Sequence, residues 1–311
     1  MTIHIPVLPT EVFEGMNLKQ GDICVDGTLG GGGHSREILN RIGPTGHLIG
    51  LDRDPLAVED TETRISDENA TLIASNYADM PEILQELDIS SINSALLDLG
   101  LSSDQLAARD RGFSFNSDGP LDLRFNMMHG EPAHKLLNRL REKPLADLIY
   151  QYGEEKLSRR IARKIVKYRH STKVVTADHL ARIVRSCYPK TYKQRTDPAT
   201  RTFQALRIAV NEELKWLGNA LKRYPDCLAP GGRFVAISFH SLEDRMVKHA
   251  FAQDDRLKVL TSKPSWPVKK NWMRIRVAGL PNYGLQNEFR RTAAAARIFL
   301  TSNDTKNQHD K

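Results

Sequence analysis

The feature that most constrains this chain is a run of four consecutive glycines at positions 30–33. A short apolar segment, 23–25, precedes the run, and a segment with helical character, 35–39, follows it. A strand, a turn without side chains and a helix N-terminus in this order allow a ligand to lie against backbone N–H groups. A second apolar segment ends in Asp52, an acidic residue that suits the two hydroxyls of a ribose. The pattern therefore predicts a site for a nucleoside-containing cofactor.

Apolar and helical segments alternate on both sides of the middle of the chain. The predicted strands are 23–25, 47–51, 70–74, 94–97, 234–239, 257–261 and 295–300. Between them lie amphipathic segments with helical spacing, such as 79–87. This alternation predicts a parallel sheet covered by helices, with the last two strands as an antiparallel edge. A Pro-Gly-Gly triplet at 230–232 predicts a tight turn before the fifth strand.

The middle of the chain has a purely helical pattern. We predict a helix over 155–168, a second helix capped by Asp178, and a third from Phe203 to Leu221. The predicted architecture is an α/β domain with an inserted all-α domain. The α/β domain would comprise 1–115 and 208–301, the inserted domain 116–207, and a disordered tail 302–311.

The positive charge of the chain is concentrated in this helical segment. From Lys135 to Arg207 there are 19 Lys and Arg residues against 6 Asp and Glu, in a chain whose formal net charge is +7. Outside this segment the acidic residues outnumber the basic ones, so the asymmetry favours a polyanionic partner over a merely solvated surface. The cations expected to contact such a partner are Arg159, Arg160, Arg163, Lys164, Lys167 and Arg201.

Several classes of protein are disfavoured by what the sequence lacks. The three cysteines are far apart and form no CxxC motif, so neither a zinc site nor a disulfide framework is indicated. No HExxH motif or comparable spacing predicts a metal site. No apolar run approaches the ~18 residues of a membrane span, and no export signal is present. We therefore expect a cytoplasmic protein without a membrane partner; its oligomeric state is left open.

Two classes of cofactor compete for the glycine run. The dinucleotide motif GxGxxG is matched only in part, because Ser35 stands at its third position. A methyl-donor fold needs an acidic residue at the end of the first strand, and Asp26 stands there. Its carboxylate would attract the ammonium group of S-adenosylmethionine and repel a pyrophosphate. Asp98 ends the fourth strand, where a transferred methyl group would lie. These residues favour S-adenosylmethionine, with an NAD(P)-dependent oxidoreductase as the alternative.

Motifs along the whole chain resemble those of the RsmH (MraW) family of bacterial rRNA cytosine-N4 methyltransferases. They lie at 4–8, 26–35, 51–55, 96–106, 111–115, 118–124, 152–155, 198–205 and 238–245. The chain departs from the family at Asp197, where histidine is usual, and at Asn126, where aspartate is usual. It also lacks the proline expected within 287–291, and 266–285 is unlike the family.

The resemblance implies a class I (Rossmann-like) S-adenosylmethionine-dependent methyltransferase with an inserted helical substrate domain. The reaction would methylate N4 of a P-site cytidine in 16S rRNA, position 1402 in the usual rRNA numbering, within the 30S subunit. The implied cofactor contacts are Gly32, Gly33, His34, Asp52, Tyr77, Asp98 and Gln105. Asp52 would hold the ribose hydroxyls, and Tyr77 would pack on the adenine. A non-catalytic ribosome-assembly factor is a further alternative, against which the intact glycine run argues.

Candidate catalytic residues follow from the chemistry of a cytosine amine, whose lone pair is delocalised into the ring. An enzyme has to hold the nitrogen in line with the methyl group and accept its N–H hydrogen bonds. We expect Asp98 to orient the amine, and Phe113 or Phe115 to stack on a flipped base, although both rings could belong to the core. His240 could act as a base or contact RNA, although a histidine at a strand end is more often structural. His34 is interpreted as a neighbour of the cofactor.

Overall fold

The chain divides into two units. The structure is a computed structural model that describes residues 6–115, 118–189, 191, 196–260 and 297–303, the last segment by its backbone. One unit comprises Met1–Ser102 with Leu214–Lys311, and the other comprises Ser103–Glu213. The inserted domain assigned to 116–207 falls within the range of the second unit, and residue 116 lies outside the described residues. The domain bounds assigned from the sequence stay a prediction.

A seven-stranded sheet of order β3-β2-β1-β4-β5-β7-β6 forms the centre of the first unit. The strands are β1 (Ile23–Asp26), β2 (His47–Asp52), β3 (Ala70–Ala74), β4 (Ile92–Asp98), β5 (Leu228–Ser238), β6 (Leu257–Val259) and β7 (Arg297–Asn303). Strands β1 to β5 are parallel to one another, whereas β7 pairs antiparallel with both β5 and β6. The predicted parallel sheet with an antiparallel edge is confirmed, and with it the α/β fold class.

The helices of the described residues occur in both units. They are α1 (Pro9–Met16), α2 (Gly33–Ile42), α3 (Pro55–Glu62), α4 (Met80–Glu86), α5 (Ser103–Ala107), α6 (Ala133–Arg139), α7 (Glu142–Gly153), α8 (Ser158–Arg169), α9 (Ala177–Arg185), α10 (Thr200–Asn211), α11 (Glu213–Cys227) and α12 (Ser241–Gln253). In the part of the chain that the structure covers, no helix is long and apolar enough to cross a bilayer.

Helices cover the sheet of the first unit on both faces. Successive strand residues point to opposite faces, so Cys24 and Val25 join different clusters of the core. One cluster packs the sheet against α4, α11 and α12, and the other packs it against α1 and α2. Because both faces are buried, the inner strands are almost continuously apolar.

The Pro-Gly-Gly triplet is where the structure departs from the strand prediction. Instead of preceding β5, the triplet lies inside it, as an irregularity in the pairing with β4. Ile92 pairs with Leu228, and the next pair is Ser94 with Arg233. Gly231 has φ +78°, a left-handed conformation that glycine adopts without strain. The extra residues are accommodated by this bulge, so the strand does not end.

The second unit contains α5–α10, and two helix predictions are corrected there. Asp178 does not cap α9; the side chain of Thr176 accepts a hydrogen bond from the backbone N–H of His179 and is the cap. The predicted third helix is two helices, because Glu212 adopts φ +51° between α10 and α11. Helix α8 begins at Ser158 instead of residue 155, after the Glu155 carboxylate accepts a hydrogen bond from the N–H of Leu157.

The end of the chain differs from the sequence prediction at two residues. Ser302 and Asn303, assigned to a disordered tail, belong to β7, where they pair with neighbouring strands. The described residues do not include 304–311, the segment 266–285, or residues 4–5 of the motif at 4–8.

Candidate active site

Three aspartates mark the carboxyl edge of the sheet in the first unit. Asp26, Asp52 and Asp98 are the last residues of β1, β2 and β4. The strand order changes direction at β1, since β2 and β3 lie on one side of it and β4 and β5 on the other. Open α/β sheets bind their ligands in the crevice outside the carboxyl ends of the strands at this reversal. The aspartates therefore surround the position at which a ligand is expected.

The glycine loop between β1 and α2 has a backbone course that requires glycine at two positions. Gly30 has φ +46°, and Gly32, the N-cap of α2, has φ +75°. A Cβ atom on Gly32 would lie 2.8 Å from the Cγ2 atom of Thr61. The hydroxyl of Thr61 also donates a 2.8 Å hydrogen bond to the carbonyl of Gly30. The loop is thus held from one side by α3.

Asp52 is bound to this loop through its carboxylate. One oxygen accepts a 2.8 Å hydrogen bond from the N–H of Gly30, and the other accepts a 2.8 Å bond from the N–H of Asp54. Burial raises the pKa of Asp52 to about 6, although these two hydrogen bonds act in the opposite direction. Each carboxylate oxygen can accept more than one hydrogen bond, so Asp52 retains capacity for hydroxyl groups.

Asp26 is fully enclosed beneath the loop. Its carboxylate accepts a 2.7 Å hydrogen bond from the hydroxyl of Ser35 and a 3.1 Å bond from the N–H of Thr28. Burial raises the pKa of Asp26, while His34 and the two hydrogen bonds lower it and the charge of Asp98 raises it. Asp26 therefore supplies negative potential from below the loop.

Asp98 and His34 face one another at the end of β4. The Nε2 atom of His34 lies 3.5 Å from the Oδ2 atom of Asp98, and both side chains are largely buried, 5% and 16% exposed. The backbone N–H of Asp98 donates a 2.7 Å hydrogen bond to the hydroxyl of Thr28. Among the described residues, the two ring nitrogens of His34 have no hydrogen-bond partner, and the Oδ1 atom of Asp98 has none either. Buried polar atoms without partners indicate a position that a ligand completes.

Tyr77 lies in a short 3₁₀ turn directly after β3. Its carbonyl accepts a 2.8 Å hydrogen bond from the hydroxyl of Tyr224, which fixes the turn to α11. A Cβ atom on Gly27 would lie 3.0 Å from the Cβ of Tyr77, so the turn packs closely against the segment that follows β1.

The structure brings together six of the seven predicted cofactor residues. Gly32, Gly33, His34, Asp52, Tyr77 and Asp98 all belong to the first unit, at the carboxyl edge of the sheet. Gln105 is a buried residue of α5 in the second unit, and its cofactor contact stays a prediction. These residues, together with Asp26, fit S-adenosylmethionine: Asp52 has acceptor capacity for ribose hydroxyls, and Asp26 and Asp98 supply negative charge for an ammonium.

Phe113 and Phe115 have neighbours within the second unit. Phe113 is buried and stacks on Phe125, with ring centroids 6.0 Å apart. Phe115 contacts Phe203 edge-on, with ring centroids 4.8 Å apart. These contacts are those of core residues, and stacking on a flipped base stays a prediction.

His240 has a local structural role as the N-cap of α12. Its side chain accepts a hydrogen bond from the N–H of Glu243, and the Glu243 carboxylate reaches back to accept a 2.9 Å bond from the N–H of Phe239. This reciprocal arrangement resembles a capping box. The geometry gives His240 a structural role, and its catalytic role and its contact with RNA stay predictions.

The predicted RNA-contacting cations form one face of α8 in the second unit. Its buried residues are Ser158, Ile161, Ala162 and Ile165. At 100° per residue, the five predicted cations of α8 span an arc of about 140° on the opposite side. All five are exposed, as is Arg201 at the start of α10. Arg163 pairs with Glu142 and Arg201 donates to the carbonyl of Glu154, whereas Arg159, Arg160 and Lys167 have no ion-pair partner in the described part of the chain.

Two threonines belong to the site without having been identified from the sequence. Thr28 stands where glycine is commoner in methyl-donor loops, and its hydroxyl accepts the hydrogen bond that connects the β1 loop to Asp98. A hydroxyl-bearing residue at a position where glycine is commoner is the sequence feature that could have identified Thr28 as part of the site. Thr61 braces the loop from 31 residues further along the chain than Gly30, and no local pattern indicates it.

The two family departures with described residues have structural explanations. Asp197 accepts hydrogen bonds from the Arg185 guanidinium and from the N–H of Ala199, so it fixes the turn before α10. The side chain of Asn126 accepts a 2.9 Å hydrogen bond from the N–H of Met128 within its own turn.

Comparison with known proteins gives consistent matches over most of the chain. The family model described as the MraW methylase family matches residues 1–278. The ribosomal RNA small subunit methyltransferase H of Desulforapulum autotrophicum is 47% identical over 252 residues, 80% of this chain and 81% of that protein. The proteins of the same name from Syntrophus aciditrophicus and Syntrophotalea carbinolica are 44% and 43% identical, over 86% and 94% of this chain and 91% and 94% of those proteins.

A solved structure of an rRNA methylase from Clostridium thermocellum is also similar. The match covers 97% of this chain and all of that chain at 12% identity, with a TM-score of 0.45. The matched family confirms the resemblance stated from the motifs, the enzyme class and the methyl donor, and it excludes the oxidoreductase alternative. The chain belongs to the MraW methylase family, and it is an S-adenosylmethionine-dependent methyltransferase.

Proposed function

We propose that the chain methylates N4 of a P-site cytidine in the 16S rRNA of the 30S subunit, in the cytoplasm. The relatives named above are small-subunit rRNA methyltransferases, which supports 16S rRNA as the substrate. The observation that carries the proposal is the Asp98 carboxylate at the end of β4, with one oxygen that has no partner among the described residues. An acceptor at this position suits an amine better than a carbon or hydroxyl nucleophile, because an amine keeps N–H groups to donate.

Different residues of the first unit bind different parts of the methyl donor. When bound, S-adenosylmethionine supplies an electrophilic methyl group on a positively charged sulfur. The glycine loop lets the backbone approach closely, Asp52 accepts hydrogen bonds from ribose hydroxyls, and Asp26 and Asp98 provide the negative potential for an ammonium. Asp98 accepts an N–H of the cytosine amine and orients its lone pair. Holding the amine in one orientation compensates for its weak nucleophilicity.

The basic face of α8 supplies the contacts with RNA. Its cations are exposed and turned away from the helix's buried residues, so their charge is available to a partner. Four of the five have no ion pair among the described residues, which supports phosphate contacts over a role within the fold. Phosphate contacts position an RNA without reading its sequence. Selection of one cytidine then depends on the shape of the assembled subunit.

The proposal is tested on subunits from a strain that lacks this gene. We expect purified protein and isotope-labelled donor to place one methyl group on these subunits. Mass spectrometry of the digested RNA should identify it as N4-methylcytidine in the P-site fragment. Subunits from the parent strain, already methylated, should take up little label, and naked 16S rRNA serves as the second comparison.

Three results would contradict parts of the proposal. Label on another nucleoside would exclude cytosine N4 as the target. Equal transfer to naked RNA would exclude the 30S subunit as the preferred substrate. Binding to the subunit without any transfer would favour the alternative of a non-catalytic assembly factor.

A further inference from the structure

His34 has a feature that a simple cofactor contact does not explain. Its ring is 5% exposed, yet neither nitrogen has a hydrogen-bond partner among the described residues. On one side the ring has an apolar neighbour, Phe13 of α1, which packs edge-on against it with ring centroids 5.9 Å apart. A histidine used only for packing in such surroundings would be replaceable by an apolar residue. The polar side of the ring faces Asp98.

The contact between His34 and Asp98 joins two rigid elements. His34 lies in the first turn of α2, and Asp98 ends β4 with its backbone N–H donated to Thr28. The distance of 3.5 Å from Nε2 to Oδ2 exceeds that of a good hydrogen bond. In structures without substrate such contacts are often long, and they shorten when the site is filled. A small rotation of either side chain would bring Nε2 and Oδ2 to hydrogen-bond distance.

The two oxygens of Asp98 are not equivalent in this arrangement. Oδ2 faces the imidazole, and Oδ1 is buried without a partner among the described residues. A hydrogen bond from the Nε2–H of His34 to Oδ2 would fix the rotation of the carboxylate. Oδ1 would then keep one direction for the N–H group of a substrate amine. The corresponding tautomer leaves Nδ1 of His34 unprotonated.

We propose that His34 is a positioning residue for Asp98: its Nε2–H holds Oδ2, so that Oδ1 is aimed at the amine to be methylated. The inference rests on the proposed role of Asp98 in amine methylation. It assigns to the His34 side chain a role in the chemical step, distinct from affinity for the methyl donor.

Two substitutions separate this role from packing and from donor binding. His34→Gln keeps an N–H donor near the position of Nε2, whereas His34→Leu fills a similar volume without one. We expect His34→Leu to lower kcat about 10-fold or more, because a misoriented reacting group costs up to about 100-fold. His34→Gln should recover most of that loss. The exposed His249 of α12 provides the control, and His249→Leu should leave kcat unchanged.

Donor affinity is measured separately, by calorimetry with S-adenosylhomocysteine. We expect the Kd of His34→Leu to stay within about 3-fold of the parent protein, because a loss confined to kcat marks an interaction made in the transition state. Selective ¹⁵N labelling of histidine should show the Nε2-protonated tautomer of His34, with ring resonances that move on Asp98→Asn. Thermal unfolding of each variant shows that it folds.

The proposal is overturned by any of three results. These are equal kcat for the Gln and Leu variants, a fall in donor affinity that accounts for the whole loss of rate, or an Nδ1-protonated ring insensitive to Asp98→Asn. Transfer is measured as total methyl incorporation into the subunit. If mass spectrometry assigns the methyl group to another nucleoside, the proposed function fails, whereas the comparison of the two variants still decides the role of His34.

Discussion

The carboxylates of the first unit and the cations of the second are held in opposite ways. Asp26 and Asp52 are fixed by hydrogen bonds from backbone N–H groups and a buried serine. The five predicted cations of α8 extend from the exposed side of one helix, and five of the six RNA candidates have no ion pair within the described residues. Buried groups in a fixed geometry act individually, whereas exposed charges act as a sum and are screened by salt.

This contrast predicts how each region responds to substitution. Removal of one buried carboxylate should have a large effect that salt does not change. Removal of one exposed cation should have a small effect, and several removals should add together. The four predictions below test that difference, beginning with the largest effect.

Asp98→Ala should abolish methyl transfer, a loss of at least about 100-fold in kcat, because an acceptor aimed at the reacting group is removed. Donor affinity should fall much less. Transfer to subunits and calorimetry with S-adenosylhomocysteine measure the two quantities. Glu59→Ala removes an exposed carboxylate from α3 of the same unit and should be neutral. Near-normal turnover with intact donor binding would remove Asp98 from the chemical step.

Combined substitution of Arg159, Arg163 and Lys167 by alanine should weaken RNA binding and flatten its salt dependence. The loss of three phosphate contacts lowers the slope of log K against log salt by about 2 to 3. Binding to subunit RNA is measured between low and physiological salt. The matched control removes three exposed cations of the first unit, Lys19, Arg41 and Lys248. An equal change of slope in both triple variants would show that the positive charge acts without regard to its location.

Donor affinity should rise with pH through the titration of Asp52, whose pKa burial raises to about 6. Below that pH the carboxyl carries a proton and loses acceptor capacity for ribose hydroxyls. Above it the carboxylate is ionised, and affinity should reach a plateau near pH 7, a gain of at most about 10-fold. Calorimetry at pH 5 to 8 measures the trend, and Asp52→Asn should remove it.

The stability of the donor-free protein should change in the opposite direction. A carboxyl whose pKa is raised on folding binds more protons in the folded state than in the unfolded state between about pH 4 and 6. The contribution of Asp52 to the free energy of unfolding is therefore largest at low pH and falls as the pH rises through about 6. The free energy of unfolding of Asp52→Asn, taken relative to that of the parent protein, should therefore increase between pH 5 and pH 8. An identical pH dependence in both proteins would contradict the assignment.

Local sequence patterns were sufficient for the sheet and for the aspartates that close its strands. The segment 70–74 has the predicted bounds, because a short apolar run between turn signals identifies a strand. Patterns failed where a single residue decides the outcome. Glu212 divides the predicted third helix by adopting a left-handed conformation, and Thr176 caps α9 instead of Asp178. Both choices depend on one side chain or one dihedral angle, which periodicity does not detect.

The sequence by itself determined that this chain builds an α/β sheet with a nucleoside-cofactor loop, a set of acidic strand ends and a basic helical segment. These properties are local, since each depends on residues close together in the chain. Only the tertiary structure decided what those residues do together. It brought Thr61 against the glycine loop, gave His240 a capping role, and set His34 against Asp98, 64 positions further along the chain. Pairing of parallel strands brings residues that are distant in the chain into contact, and the local spacing of residues does not predict such contacts.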